Sequence, residues 1–177
     1  MKPNRQNLPY YLLTIGIFLL LRFCFVYADT DDLAFLLKPT AKLVGLLTGS
    51  PAVYLADSGY YFEKPNILIE KSCSGFHFWI LCFLVFSYLF IKYLNRHIHK
   101  ILLLPAALIL SYLLTLFSNA SRIFASIIVR NQTMNIFPDK QYLIHEIVGI
   151  VTNLSFLILS YYLIEKLLKH RNHAKHP

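Results

Sequence analysis

The sequence predicts an all-α fold: a multi-pass transmembrane helical bundle with about four full spans plus one interfacial or re-entrant helix. Three observations carry that prediction. Of the 177 residues, 56% are apolar and only 15% are charged, against about 45–50% and about 25% in soluble domains. The apolar residues gather in runs long enough to cross a hydrocarbon core of about 30 Å at a rise of about 1.5 Å per residue. The charged residues collect between those runs, with a formal net charge of +8. This composition excludes a disordered chain, which requires low hydrophobicity, and three cysteines are too few for a disulfide-stapled miniprotein.

The first run covers residues 8–26 and is interrupted only by Arg22, whose long side chain can snorkel to the headgroups. Val26-Tyr27-Ala28 has the small residues of a signal-peptidase site. The apolar stretch exceeds the usual core of such a signal, however, so the segment is read as a retained anchor. The second run, residues 75–91, is rich in Phe, Leu and Tyr; the third, 101–117, carries no charge; the fourth, 147–164, ends in Tyr161 and Tyr162, as an interfacial belt does. Between the first two runs, Leu33, Leu36, Leu37, Val44 and Leu47 recur at helical spacing, while Lys38, Pro39 and Lys42 interrupt any spanning stretch. Residues 33–48 are therefore read as the interfacial or re-entrant helix. The whole of 1–177 is read as a single transmembrane domain with a basic cytosolic tail, 165–177.

Charge distribution sets the expected sidedness. With the N-terminus in the cytosol, Lys2, Arg5, Lys92, Arg96, Lys100, Lys166, Lys169, Arg171 and Lys175 all fall in three short inside stretches. The outside segments hold eight of the nine acids, and their basic residues are spread more thinly. The basic excess thus marks the cytosolic face, and no nucleic-acid partner is expected; the lipid bilayer is. Neither a metal nor any other cofactor is expected: His97-x-His99 and His170, His173 and His176 sit in basic flanks without carboxylate or thiolate companions.

With that topology three unusual residues fall at one depth on the outer side: Cys73 before the second run, Arg122 after the third, and His145 opening the fourth. Each has a plain alternative. A cysteine commonly packs as a small hydrophobe, an arginine near a span end commonly anchors to headgroups, and a histidine there can be merely interfacial. Context favours chemistry. Ser72, Ser74 and Gly75 make a small polar turn at a helix start, where the dipole stabilises a thiolate. Asn119 shares a helical face with Arg122, a pairing suited to a carbonyl or carboxylate. His145 continues along its face into Gly149 and Thr152, whereas Glu146 points about 100° away. His77, four residues after Cys73, is the rival general base. Cys24 and Cys82 lie inside apolar runs and are read as packing residues.

Cys73-Ser74-Gly75, Asn119-Ala120-Ser121-Arg122-Ile123 and His145 to Gly149, together with the approach Lys38-Pro39-Thr40-Ala41-Lys42, resemble the exosortase/archaeosortase family of multi-pass membrane cysteine transpeptidases. The likeness is greatest to its short exosortase K branch and covers roughly residues 33–164. It implies that Cys73 is the nucleophile, with Arg122 and His145 completing the catalytic set. It further implies cleavage of a C-terminal sorting signal on exported protein substrates at the outer face of a bacterial cytoplasmic (inner) membrane, and their transfer to a surface acceptor. Asn119, Ser74 and His77 are the expected supports for substrate or oxyanion. Two alternatives stay open: a thiol protease that hydrolyses the same intermediate, and a membrane scaffold or transport subunit in which the three residues are interfacial anchors.

Overall fold

The structure, a computed structural model, describes residues 5–94, 97–133 and 140–173. It is mostly helical. Four helices are long and apolar enough to cross a membrane, over Leu8–Tyr27, Lys71–Tyr93, Leu102–Thr133 and Gln141–Arg171, so the chain is a multi-pass membrane protein. The expected spans are all present, and a small three-stranded sheet joins them.

After a single 3-10 turn at Arg5–Asn7, α1 runs over Leu8–Tyr27 and buries only Thr14. Leu12, Leu19, Leu20 and Phe23 stand exposed along it, a surface that lipid accepts and water does not. The amphipathic segment forms α2, Ala34–Thr48, which buries Leu36, Leu37, Thr40, Ala41 and Val44 at helical spacing and leaves Lys38 and Lys42 outward. Gly49 closes it in the left-handed conformation, φ +67°.

Strands β1 (Ala52–Leu55), β2 (Gly59–Phe62) and β3 (Ile67–Ile69) then form an antiparallel sheet in the order β1-β2-β3. This sheet is absent from the hydropathy reading for a physical reason: strands of three or four residues are invisible to a search for runs of about 20. The local chemistry does encode it. Val, Tyr and Ile pairs alternate, and turn residues fall between them, with Asp57 (φ 60°) and Asn66 (φ 59°) in left-handed conformation. A Cβ on Gly59 would lie 2.3 Å from the Ile69 carbonyl oxygen, so only glycine lets β2 and β3 close there. Phe62 and Ile69 are fully buried on the face shared with Tyr60 and Ile67. Phe62 meets α2 at Gly45, whose added Cβ would stand 3.7 Å from the ring. Burial of such a side chain contributes about 1.5–3 kcal/mol.

The last three helices are α3 (Phe76–Tyr93), α4 (His97–Thr133) and α5 (Gln141–His173). Both α4 and α5 outrun their expected apolar stretches. Arg122 and Asn119 therefore lie within a continuous helix, not beyond its end: the Ser118 side chain finds a partner in Asn153, that of Asn119 in the Cys73 carbonyl, and Ile123 to Val129 carry the helix on. Tyr161 and Tyr162 likewise sit inside α5.

The chain divides into two compact units. One comprises the described parts of Met1–Tyr27, His77–Leu113 and Leu157–Pro177. Its interior holds Cys82, Phe83, Phe86, Leu89 and Ile91 of α3, and Glu165 accepts a 2.6 Å hydrogen bond from Tyr93 and pairs with Lys169 at 3.2 Å. The other comprises Ala28–Phe76 and Leu114–Phe156, and contains α2, the sheet and the facing lengths of α4 and α5. Lys2, Arg96, Asp139, Lys175 and His176 fall outside the described residues, as do the side chains of Arg5, His97, His99, Lys100 and His173.

Candidate functional site

Cys73 ends a single 3-10 turn, Lys71–Cys73, that follows β3 after one residue. The turn is closed by the Cys73 amide donating to the Glu70 carbonyl at 2.9 Å and the Ser74 amide donating to the Lys71 carbonyl at 3.1 Å. It is tied down at both sides. Lys71 Nζ donates to the Ala28 carbonyl at 2.6 Å, and Asn119 Nδ2 on α4 donates to the Cys73 carbonyl at 2.7 Å. Ser74 is buried, and its Oγ accepts from the Phe76 amide at the start of α3. Gly75 has φ +74°, and a Cβ there would stand 3.1 Å from both Asn119 Cγ and Thr115 Cγ2. The Cys-Ser-Gly sequence thus has a plain structural meaning. Serine caps, glycine permits close approach to α4, and the cysteine is left half-buried and free, with Ser72 Oγ 3.7 Å from its sulfur.

Arg122 lies one turn beyond Asn119. Its Nε and Nη2 are buried and have no hydrogen-bond partner among the described residues, a costly condition for a guanidinium unless a ligand completes it. The side chain runs against α5 at Gly149, where an added Cβ would lie 3.5 Å from Cδ and 3.6 Å from Nη1. That spacing leaves room for a methyl group at Gly149 but not for a larger side chain without moving Arg122. Ser118 Oγ donates to Asn153 Oδ1 at 3.1 Å, a second tie between α4 and α5.

Two cavities meet at the cysteine. One, of about 330 Å³, is lined by Cys73, Arg122 and His145 with Ser72, Tyr142, Glu146 and Asn153. The other, of about 300 Å³, is lined by Cys73 and His145 with Ile67, Leu68, Ile123, Ile127 and Ile144, and with Ser126, Arg130 and Gln141 at polar positions. A thiol and an imidazole therefore stand on the wall common to a polar and an apolar recess.

The structure brings Cys73, Arg122, His145, Asn119 and Ser74 into one unit. His77 belongs to the other unit, where Arg22 donates to its Nε2 and its ring stands edge-on to Phe25 with centroids 4.6 Å apart. Arg22 thus reaches a side-chain partner. Asn119 differs from expectation in what it holds, since its amide donates to the backbone of Cys73. Glu146 lines the polar recess despite its displacement around the helix from His145. Sequence reasoning passed over Ser126, Arg130 and Gln141, although Arg122, Ser126 and Arg130 repeat every four residues, as do Gln141 and His145. Among the described residues no cluster of three or more His, Cys, Asp or Glu side chains is placed to hold a metal. Comparison with family models, with curated proteins and with solved structures yields no match, so the geometry of this unit and the resemblance of its motifs are what speak for function.

Proposed function

We propose that the chain is a membrane-embedded cysteine transpeptidase of exosortase type, and the observation that carries the reading is the recess lined jointly by Cys73, Arg122 and His145, with two guanidinium donors left unpartnered. In this reading the Cys73 thiol gives its proton to His145 and the sulfur attacks a peptide carbonyl carbon. The oxyanion forms opposite Nε and Nη2 of Arg122, donors whose removal singly is typically worth about 10²–10³ in rate. As the C–N bond breaks, His145 returns the proton to the departing amine, leaving an acyl thioester on Cys73. A surface acceptor's nucleophile then attacks the thioester, giving its proton to His145, and the thiol is restored. Asn119 and Ser74 are positioning residues that fix the nucleophile's backbone; His77 is supported in no role by its partners.

The substrates are exported proteins with a C-terminal sorting signal. In this reading the basic flanks are cytosolic, so both termini lie in the cytosol and the site lies on the outer face of the bacterial cytoplasmic membrane. The test is C-terminal peptide mapping of exported proteins from the native cells carrying either the wild-type chain or Cys73→Ala. Retention of C-terminal segments on a set of proteins in the variant is expected. Unchanged processing in the variant contradicts the proposal, and a free carboxyl at every new C-terminus would make the enzyme a hydrolase.

A further inference from the structure

Strand β3 lies at an edge of the sheet: it pairs with β2 alone among the described strands. Edge strands ordinarily carry some protection against pairing, such as proline, lysine or a covering element. Here Ile67, Leu68 and Ile69 carry none in their own side chains, and the apolar recess opens beside them. Successive residues of a strand point to opposite faces. Ile67 shares the face of Phe62 and Tyr60, whereas Leu68 shares the face of Tyr61 and is 40% exposed. Both nevertheless line one cavity, so that cavity runs along the strand's edge and not over one of its faces. Only Glu70, Lys71 and Ser72 separate the end of β3 from Cys73. Across the recess, Ser126 Oγ is buried without a hydrogen-bond partner among the described residues.

We propose that the polypeptide cleaved at Cys73 binds in extended conformation as a fourth strand on the free edge of β3, with an aliphatic side chain in the recess between β3, α4 and α5. The proposal rests on the cysteine-enzyme reading above and names the substrate's binding mode. Main-chain hydrogen bonds to β3 supply affinity, and the recess supplies selection at alternate side chains. The unpartnered Ser126 hydroxyl meets a main-chain group of the bound peptide. The short connection from β3 carries the register of that strand directly to the nucleophile, so that binding the peptide also sets which carbonyl faces the sulfur.

The experiment measures the alkylation rate of Cys73 by acetyl-Leu-Val-Leu chloromethyl ketone in the full-length protein in lipid nanodiscs, with Cys24 and Cys82 replaced by alanine. Two further probes are used: a series in which each amide in turn is N-methylated, and iodoacetamide. The expected result is that N-methylation at one or two alternate positions slows labelling at least tenfold, while iodoacetamide labels unchanged. A second arm uses Leu68→Pro, which removes one edge donor, and Ser126→Ala; each should slow the peptide probe and leave iodoacetamide labelling alone. If every N-methylated probe labels Cys73 as fast as the parent, strand addition is overturned whatever the variants do. That outcome is separate from failure of the enzyme reading, which is marked by unchanged processing with Cys73→Ala.

Discussion

Gly75 and Gly149 are the residues whose substitution separates packing from chemistry. Gly75 has a left-handed conformation and a Cβ-sized gap closed by Asn119 and Thr115, so Gly75→Ala should cost about 2 kcal/mol from the backbone alone. Thermal unfolding in detergent checks this, and an unchanged midpoint would remove the structural account of the motif. Gly149 behaves differently. An added Cβ would make an ordinary 3.5 Å contact with Arg122, so Gly149→Ala should process substrate at close to the wild-type rate. Gly149→Leu should displace the guanidinium and lower processing about 10²–10³-fold, as loss of an oxyanion donor does, with the protein still folded. Much at this scale was legible in the sequence. Cys73, Arg122, Asn119 and His145 stood out because each is polar or reactive beside an apolar run. What could not be read was direction: nothing in Asn-x-x-Arg says that the asparagine holds the cysteine's carbonyl while Nε and Nη2 of the arginine have no partner among the described residues.

Among the elements, the sheet and the segment feeding it are where sequence and structure part most. Hydropathy over long windows finds the spans because one physical requirement, about 20 apolar residues, governs them all. Strands of three or four residues depend instead on turn chemistry and cross-strand pairs, which the same windows average away. The helix ends were misplaced for a related reason, since Ser118 and Asn119 lower hydropathy without breaking the helix that continues through Arg122. The sheet has its own titration. The Tyr54 phenol on β1 donates to Asp31; that hydrogen bond, then desolvation, then the charges of Asp31 and Asp57 push its pKa from 10.0 up to about 12. A phenol whose folded pKa is raised contributes stability that is fully present below pH 10 and is lost as pH rises toward 12. Ultraviolet titration of wild type against Tyr54→Phe should therefore reveal a late-ionising phenol. In Asp31→Asn it should return toward its ordinary value, and no change there would contradict the pairing.

At the scale of the molecule, four helices are long and apolar enough to span a membrane, and one unit holds both the sheet and the reactive residues. The basic excess of the N-terminal flank, the segment 92–100 and the C-terminal tail predicts that Cys73 faces outward. In intact cells, with Cys24 and Cys82 replaced by alanine, a membrane-impermeant maleimide should label Cys73, and a cysteine introduced at exposed Lys166 should be protected until the cells are opened. The reverse pattern would invert the orientation. The central claim, that Cys73 carries an acyl group during turnover, is tested most directly by acid-quenching the wild-type protein from its native membranes and sequencing the peptide that bears Cys73. A covalently attached polypeptide fragment, released by neutral hydroxylamine, is the predicted result. An unmodified Cys73 in protein that is processing substrate, with processing undiminished in Cys73→Ala, would contradict it.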